Sequence, residues 1–284
     1  MTMNRLVATL FMFSLSPLAY AEGSPWLQAH GNTTISIDVT SGSTSDFFIG
    51  DESTPLGGDI EGTFVWFNAS YGYDDIWAFD FRTGYAETNF DLDNPVPGEE
   101  DINELEDIAD TSFGVSYQVF NEFELDNGTP TVAVRVGLTI GGDYETDVIQ
   151  AIGDGANGVD LSLLVGKSVT LSIALFGDLT YRARDSDVAD GVKYLLSAYY
   201  TTPIQGLGVQ IAGGGIRTDS DVNIGPGFTV DQFPETDRDS DWLILGANYG
   251  FQNGFGLGAS FSTVLSGKNI ADSNIGTLSL SYSF

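Results

Sequence analysis

Asp80 and Arg82 stand two residues apart in the stretch WAFDFRTGY, so an extended backbone places both on one face. Arg135, Asp160, Asp178, Arg182 and Lys193 recur in the same way inside runs of apolar and hydroxyl-bearing residues, and Asp38 joins them on parity. A mixed-sign set of this kind can create a transverse field that orients a passing solute. It can equally close into salt bridges that fill the space it faces, and the spacing leaves both open. Of these residues, Asp80 with Arg82 is the pair expected to meet a solute first, with Arg135 beside it.

Catalytic chemistry finds little support. The chain has no cysteine, which removes disulfides, thiolate nucleophiles and zinc-thiolate sites together. Its one histidine, His30, precedes the first extended segment and is not paired with any strand serine, whereas serine nucleophiles need an imidazole beside the hydroxyl. No enzyme is expected, no catalytic residue is assigned, and no cofactor is required. Asp91-x-Asp93 and Asp185-x-Asp187 offer oxygen ligands at alternating positions, but neither continues into an EF-hand loop. They allow weak divalent-cation binding by loops at most. Gly213-Gly214-Gly215 lies mid-strand with no helix after it, so it reads as a bend in a sheet rather than a phosphate cradle.

The elements that position these charges are strands. Alternating hydrophobicity bounded by turn residues gives twelve candidates, near 32–40, 61–72, 75–88, 110–121, 129–141, 158–167, 169–183, 190–202, 206–218, 240–252, 254–265 and 274–284. Their connections alternate in length. Tyr73-Asp74, Lys167-Ser168, Pro203 to Gln205, Gln252 to Gly254 and the longer Asn121 to Gly128 are short; Ser41 to Ile60, Asn89 to Ala109, Gly142 to Asn157, Arg184 to Ala189, Asp219 to Asp239 and Ser266 to Ser273 are the opposite set. Short turns at one end and long loops at the other are the pattern of a transmembrane β-barrel, and a soluble sandwich has no reason to alternate so regularly. The fold expected is all-β: a closed antiparallel barrel of about twelve strands, with ten or fourteen as alternatives.

Parity then sorts the side chains. In the fifth strand Val132, Val134, Val136, Leu138 and Ile140 face lipid while Ala133, Arg135, Gly137 and Thr139 face in; in the seventh, Leu171, Ile173, Leu175 and Leu179 face lipid while Ser172, Asp178, Thr180 and Arg182 face in. A cation on the lipid face costs about 2–4 kcal/mol at the midplane, which assigns Asp80, Arg82, Arg135, Asp160, Asp178, Arg182 and Lys193 to the lumen. Tyr71, Trp77, Tyr200, Phe251, Phe255 and Phe284 are placed for one interfacial girdle, and Tyr85, Phe113, Tyr181 and Tyr194 for the other.

Composition agrees. Forty Asp and Glu against ten Lys and Arg give a formal net charge of −30, and the 42% hydrophobic content argues against disorder. The acids crowd the long connections, as in Asp91, Asp93, Glu99, Glu100, Asp101, Glu104, Glu106 and Asp107. A field of this sign excludes nucleic acid as a partner. Residues 1–21 carry Arg5, an apolar run from Leu6 to Leu15 and Ala19-Tyr20-Ala21, the form of a secretory signal peptide; the barrel domain is then 22–284. That apolar run is too short to span a bilayer, for which roughly 20 residues are needed.

The chain ends GTLSLSYSF, with Leu278, Leu280, Tyr282 and Phe284 on one face, and this resembles the assembly signal that the barrel-assembly machinery reads in bacterial outer-membrane barrels. The stretch Thr111 to Thr218, with SFGVSYQVF, TPTVAVRVGLTIGGDY and GVKYLLSAYY, resembles the outer-membrane channel family associated with the meta-cleavage pathway of phenol degradation. Gly141 stands where that family has proline, and no functional residue is carried over. The resemblance implies localisation in a Gram-negative outer membrane, with lipid and lipopolysaccharide around the barrel. The function expected is a porin-like channel for passive uptake of small solutes, small aromatic compounds or other neutral or cationic ones. The alternative is a non-conducting barrel with a structural, envelope-integrity or surface-interaction role.

Overall fold

The structure is a computed structural model that describes residues 23–92, 104–125 and 128–284. The expected signal peptide and the acids Asp93, Glu99, Glu100 and Asp101 lie outside the described residues. Twelve strands close into one antiparallel barrel: β1 (Thr33–Ile49), β2 (Glu52–Gly72), β3 (Trp77–Leu92), β4 (Glu104–Phe120), β5 (Thr131–Ile140), β6 (Gly158–Ser168), β7 (Ile173–Arg184), β8 (Gly191–Thr201), β9 (Leu207–Thr218), β10 (Asp239–Gly250), β11 (Phe255–Lys268) and β12 (Asn274–Ser283). Each strand pairs with its neighbours in sequence, and β1 pairs with β12 from Thr34 opposite Ser283 to Ser43 opposite Asn274. Phe284 finishes the seam by exchanging backbone hydrogen bonds with Thr33, at 2.8 and 2.9 Å.

Closure is what makes the membrane position possible. Hydrocarbon offers no partner for an unpaired N–H or C=O, so a spanning sheet must have no edge. The exposed side chains confirm which surface meets lipid: Val134, Val136, Leu138 and Ile140 in β5, Leu161 and Leu163 in β6, and Leu175 and Leu179 in β7 are all exposed, while Ala133, Arg135, Ser162 and Asp178 between them are buried. The lipid face carries aromatic contacts as well, among them Phe67, Phe81 and Phe113 across β2, β3 and β4, with ring centroids 6.3 and 5.0 Å apart.

Two long connections expected from the sequence are sheet. Ser41 to Ile60 is a hairpin extension of β1 and β2, paired from Thr44 opposite Ile60 to Ile49 opposite Glu52. Part of Asn89 to Ala109 likewise continues β3 and β4, with Asn89 opposite Glu104. Above the membrane the outward face of a strand meets water instead of lipid, so these segments carry no hydrophobic alternation to mark them. Their outward positions hold Asp59, Glu61, Glu87, Asp91, Glu104 and Glu106, a wall of carboxylates rather than loose acidic loops.

The external loops are knitted together over the barrel. Asn269, buried and with positive φ (51°), accepts hydrogen bonds from Gly50 N and Ile224 N and donates to Asn223 and to the Asp237 carbonyl. One side chain therefore joins the β1–β2 turn to the β9–β10 loop.

Leu196 in β8 is an exposed lipid-facing position, at 69%. Leu196→Arg is expected to lower folding stability in lipid vesicles by about 2–4 kcal/mol, while Ile49→Arg, above the membrane, should cost about 1 kcal/mol or less. Urea titrations of the two variants in phospholipid vesicles check the difference.

Candidate functional site: the lumen

All seven charged residues singled out in the sequence face the interior, but they pair differently from the expectation. Asp80 binds Arg135, not Arg82: Arg135 Nε donates to Asp80 Oδ2 at 3.0 Å and Nη2 to Oδ1 at 2.6 Å. The fork reaches from β5 to β3 across β4, and it can do so because the intervening inward residue is Gly114. A Cβ at Gly114 would collide with the Asp80 carboxylate and the Arg135 guanidinium, and one at Gly137 would stand 2.6 Å from Arg135 Nη1. Arg82 instead lies flat on Trp66, its Cζ 3.9 Å from the ring centroid, a cation–π contact. Trp66 in turn stacks with Phe64 at 5.7 Å and lies against the bare backbone of Gly84.

A second group occupies the external side of β6 and β7. Arg184 Nη1 binds Asp160 Oδ1 at 2.8 Å, with room provided by Gly158, while Arg182 Nε is 3.8 Å from the same oxygen. Arg184 does not lie in the connection Arg184 to Ala189 that the sequence predicts. It continues β7 inward, and its regular spacing from Asp178, Thr180 and Arg182 was the signal that could have found it. Lys193 faces inward opposite Thr180. Asp38 accepts from Asn68 at 2.8 Å and from the Ser279 hydroxyl.

Each end of the lumen is partly covered by chain. At the external end the β5–β6 loop folds in: buried Ile152 packs with Ala86, Ala109, Phe64, Trp66, Leu105 and Tyr144, and Thr88 donates to the Gln150 carbonyl at 2.6 Å. Tyr144 donates to Asp110, and burial followed by that carboxylate pushes its phenol far above the usual range. Asp154 binds Arg238 of the β9–β10 loop at 2.6 Å. Burial opposes ionisation of Asp154, but Arg238, with Arg182 and Arg184 behind it, overcomes that and holds the carboxyl below its ordinary value.

At the other end the segment 23–29 enters the barrel. Gln118 donates to the Pro25 carbonyl at 2.7 Å, Trp26 Nε1 donates to Glu122 at 3.0 Å, and Gln28 donates to Thr34 and Ser70. Glu122 also takes Ser168 and Lys167, so one buried carboxylate fastens the segment to two turns. Leu27 joins Leu164, Phe176, Leu195, Ala212 and Ile244 in an apolar cluster flanked by Trp26, Tyr199 and Trp242. This segment lacks strand periodicity, so nothing in its own residues marks its place. Gly214 and Gly215 serve packing rather than a bend: a Cβ on Gly214 would stand 2.9 Å from Trp242 Nε1, and one on Gly215 2.6 Å from the Tyr194 hydroxyl.

The interior is therefore two unequal halves. Inward positions of β5 to β9 are mostly buried, as in Ala133, Arg135, Asp160, Ser162, Thr180, Ser197 and Gln210. Those of β10, β11, β12 and β1 are largely only half-buried and small, as in Gly246, Asn248, Gly256, Gly258, Ser260, Ser279 and Ser36. His30 lies outside, exposed, its Nδ1–H donating to the Tyr73 carbonyl at 2.7 Å, with no hydroxyl bonded to it among the described residues. Among the described residues no three carboxylates or imidazoles are grouped to hold a metal ion.

Arg135→Met would leave Asp80 without its guanidinium. Because Asp80 is 30% exposed, the loss expected is near the lower end of the about 3–5 kcal/mol typical of a broken buried pair. Arg135→Met with Asp80→Asn should recover much of it, as read in a double-mutant cycle by urea unfolding. The Asp154–Arg238 clasp gives a pH dependence. A carboxyl lowered on folding stabilises above its unfolded value near ~4 and loses that contribution as pH falls through the lower folded value. Protection factors of the amides in 141–157, corrected for intrinsic exchange, are expected to fall below about pH 4 and to fall less in Asp154→Asn.

No protein-family model matches the chain, and no curated protein matches it. Solved structures do. An outer-membrane channel from Pseudomonas putida F1 superposes with a TM-score of 0.70 at 15% identity, over 95% of this chain and 99% of that one. The NanC porin gives 0.51 at 9% identity, over 87% and 98%, and the translocator domain of the autotransporter NalP from Neisseria meningitidis gives 0.50 at 13% identity, over 90% of each. At these identities the likeness is one of fold, and with the apolar belt and the closed sheet it makes this chain a twelve-stranded outer-membrane β-barrel.

Proposed function

We propose that the protein is a passive outer-membrane channel for small solutes. The observation that carries this reading is the half-open lumen: most inward residues of β10 to β1 are only half-buried and small, while those of β5 to β9 are mostly packed. A barrel filled for structural reasons alone would bury its inward residues on all sides. The path left against β10 to β1 is lined by hydroxyl, amide and glycine groups, with half-buried aromatic rings beside it, Phe64 and Trp66 on β2 and Trp242 on β10. That lining suits a small body with an apolar or aromatic part, in keeping with the aromatic catabolism to which the resemblance of Thr111 to Thr218 points.

Cleavage after Ala21 leaves one residue before Gly23, which lies beside Leu164 and Arg135 inside the barrel, where an uncleaved leader would have to fit as well. Assembly is proposed to run through Leu278, Leu280, Tyr282 and Phe284 on the closing strand. The carboxylate wall favours cations at the mouth and gives divalent ions a means of bridging to lipopolysaccharide phosphates.

Refolded protein in a planar bilayer is expected to show small discrete conductance steps, and their absence at every voltage would favour the non-conducting alternative. Trp26→Ala removes the hydrogen bond to Glu122 that fastens the segment 23–29. It is expected to raise the single-channel conductance, and an unchanged value would show that this segment does not limit flow.

A further inference from the structure

The nine cations other than Arg5 are scarce in a chain of forty acids, and three of them meet at one place inside the external mouth. Arg182 and Arg184 come from β7 and Arg238 from the β9–β10 loop, and among them they have two carboxylates, Asp160 and Asp154. Those two are already taken at short range. Asp160 is held by Arg184 at 2.8 Å and accepts from Thr139 at 3.3 Å; Asp154 is held by Arg238 at 2.6 Å. The next carboxylate, Asp110, is met by the Tyr144 hydroxyl and the Gly142 amide instead of by an arginine.

Arg182 is what remains. Its sole ion pair among the described residues is the 3.8 Å approach of Nε to Asp160, too long for a hydrogen bond, and its two Nη groups have no partner there. The side chain is 26% exposed on an inward position, whereas Arg184 beside it is 4% exposed. β7 stands across the barrel from β1, and Arg182, on an inward position, keeps part of its side chain exposed. A planar fork of N–H donors, held near other cations and reachable from the path, matches a carboxylate with two parallel hydrogen bonds.

We propose that Arg182 recognises a carboxylate on the passing solute, so that the solute class is a small organic acid with an apolar or aromatic body. The inference rests on the channel reading and narrows it. The acidic wall at the mouth then slows such an anion from outside, and the Arg182 station compensates within. Asp154 supports the sign of the local field, since its carboxyl is held low by Arg238, Arg182 and Arg184 together.

The test uses the refolded full barrel in liposomes with benzoate and benzyl alcohol as probes, at matched ionic strength, and passage means flux above that of protein-free liposomes of the same lipid. Wild-type protein should pass both, with benzoate flux saturating and benzyl alcohol flux rising linearly. Arg182→Gln should raise the benzoate half-saturation concentration about tenfold, the size of one lost charge-assisted contact, and leave benzyl alcohol unchanged. Arg182→Lys should restore part of it. Asp160→Asn should move the half-saturation down, a change of opposite sign that misfolding cannot imitate, with heat-modifiable migration confirming the barrel in each variant. Benzoate flux that is identical in wild type and Arg182→Gln, while both probes pass, overturns the carboxylate assignment alone. Passage of neither probe overturns the channel reading and the assignment with it.

Discussion

Backbone hydrogen bonding is the constraint from which the rest of this structure follows. A sheet that lies in hydrocarbon must pair every N–H and C=O, so β1 must find β12 and Phe284 must return to Thr33. Once the sheet is closed, side chains have only two places to go. Leucine, valine and phenylalanine on the outer positions are then stable where they are exposed, which inverts the usual rule for a soluble protein. Everything charged within the spanning stretch is driven into the lumen, where it must be paired or hydrogen-bonded.

That compression explains the glycines. Arg135 reaches Asp80 two strands away because Gly114 leaves its path clear, and Gly137 makes room for the other side of the same guanidinium. Gly84 lets Trp66 lie on the wall so that Arg82 can stack on it. In each case an ion or ring takes the volume of a missing side chain. The conformational freedom of glycine is not needed at these strand positions, only its size.

The architecture was legible because its signal is periodic and repeated. Alternation in β5 and β7 alone would fit many sheets, but with the alternating lengths of the connections it pointed to about twelve strands, closure and which residues face in. Partners within the lumen were not legible, since parity gives a face and not a neighbour. Asp80 and Arg82 share a face one pleat apart, yet the tilted register sets Asp80 opposite Gly114 and brings Arg135 over it. The strand extensions above the membrane were hidden for a related reason: Ser41 to Ile60 has no lipid-facing side, and the inward residues it buries, such as Thr44 and Phe47, make no apolar period. The segment 23–29 carried no pattern at all, because its position is fixed by contacts with Gln118, Glu122 and Ser70, residues far from it in sequence.

The distribution of charge has a physical logic of its own. Acids outside the membrane remain hydrated and repel one another only weakly through screened solvent, so the outward faces of β2, β3 and β4 can hold Asp59, Glu61, Glu87, Asp91, Glu104 and Glu106 without cations between them. Inside the lumen the dielectric is lower and a lone carboxylate is costly, so Asp80, Asp154 and Asp160 each draw an arginine. Confining acids thus recruits the scarce cations inward. The interior of a strongly acidic protein is in this way held close to neutral.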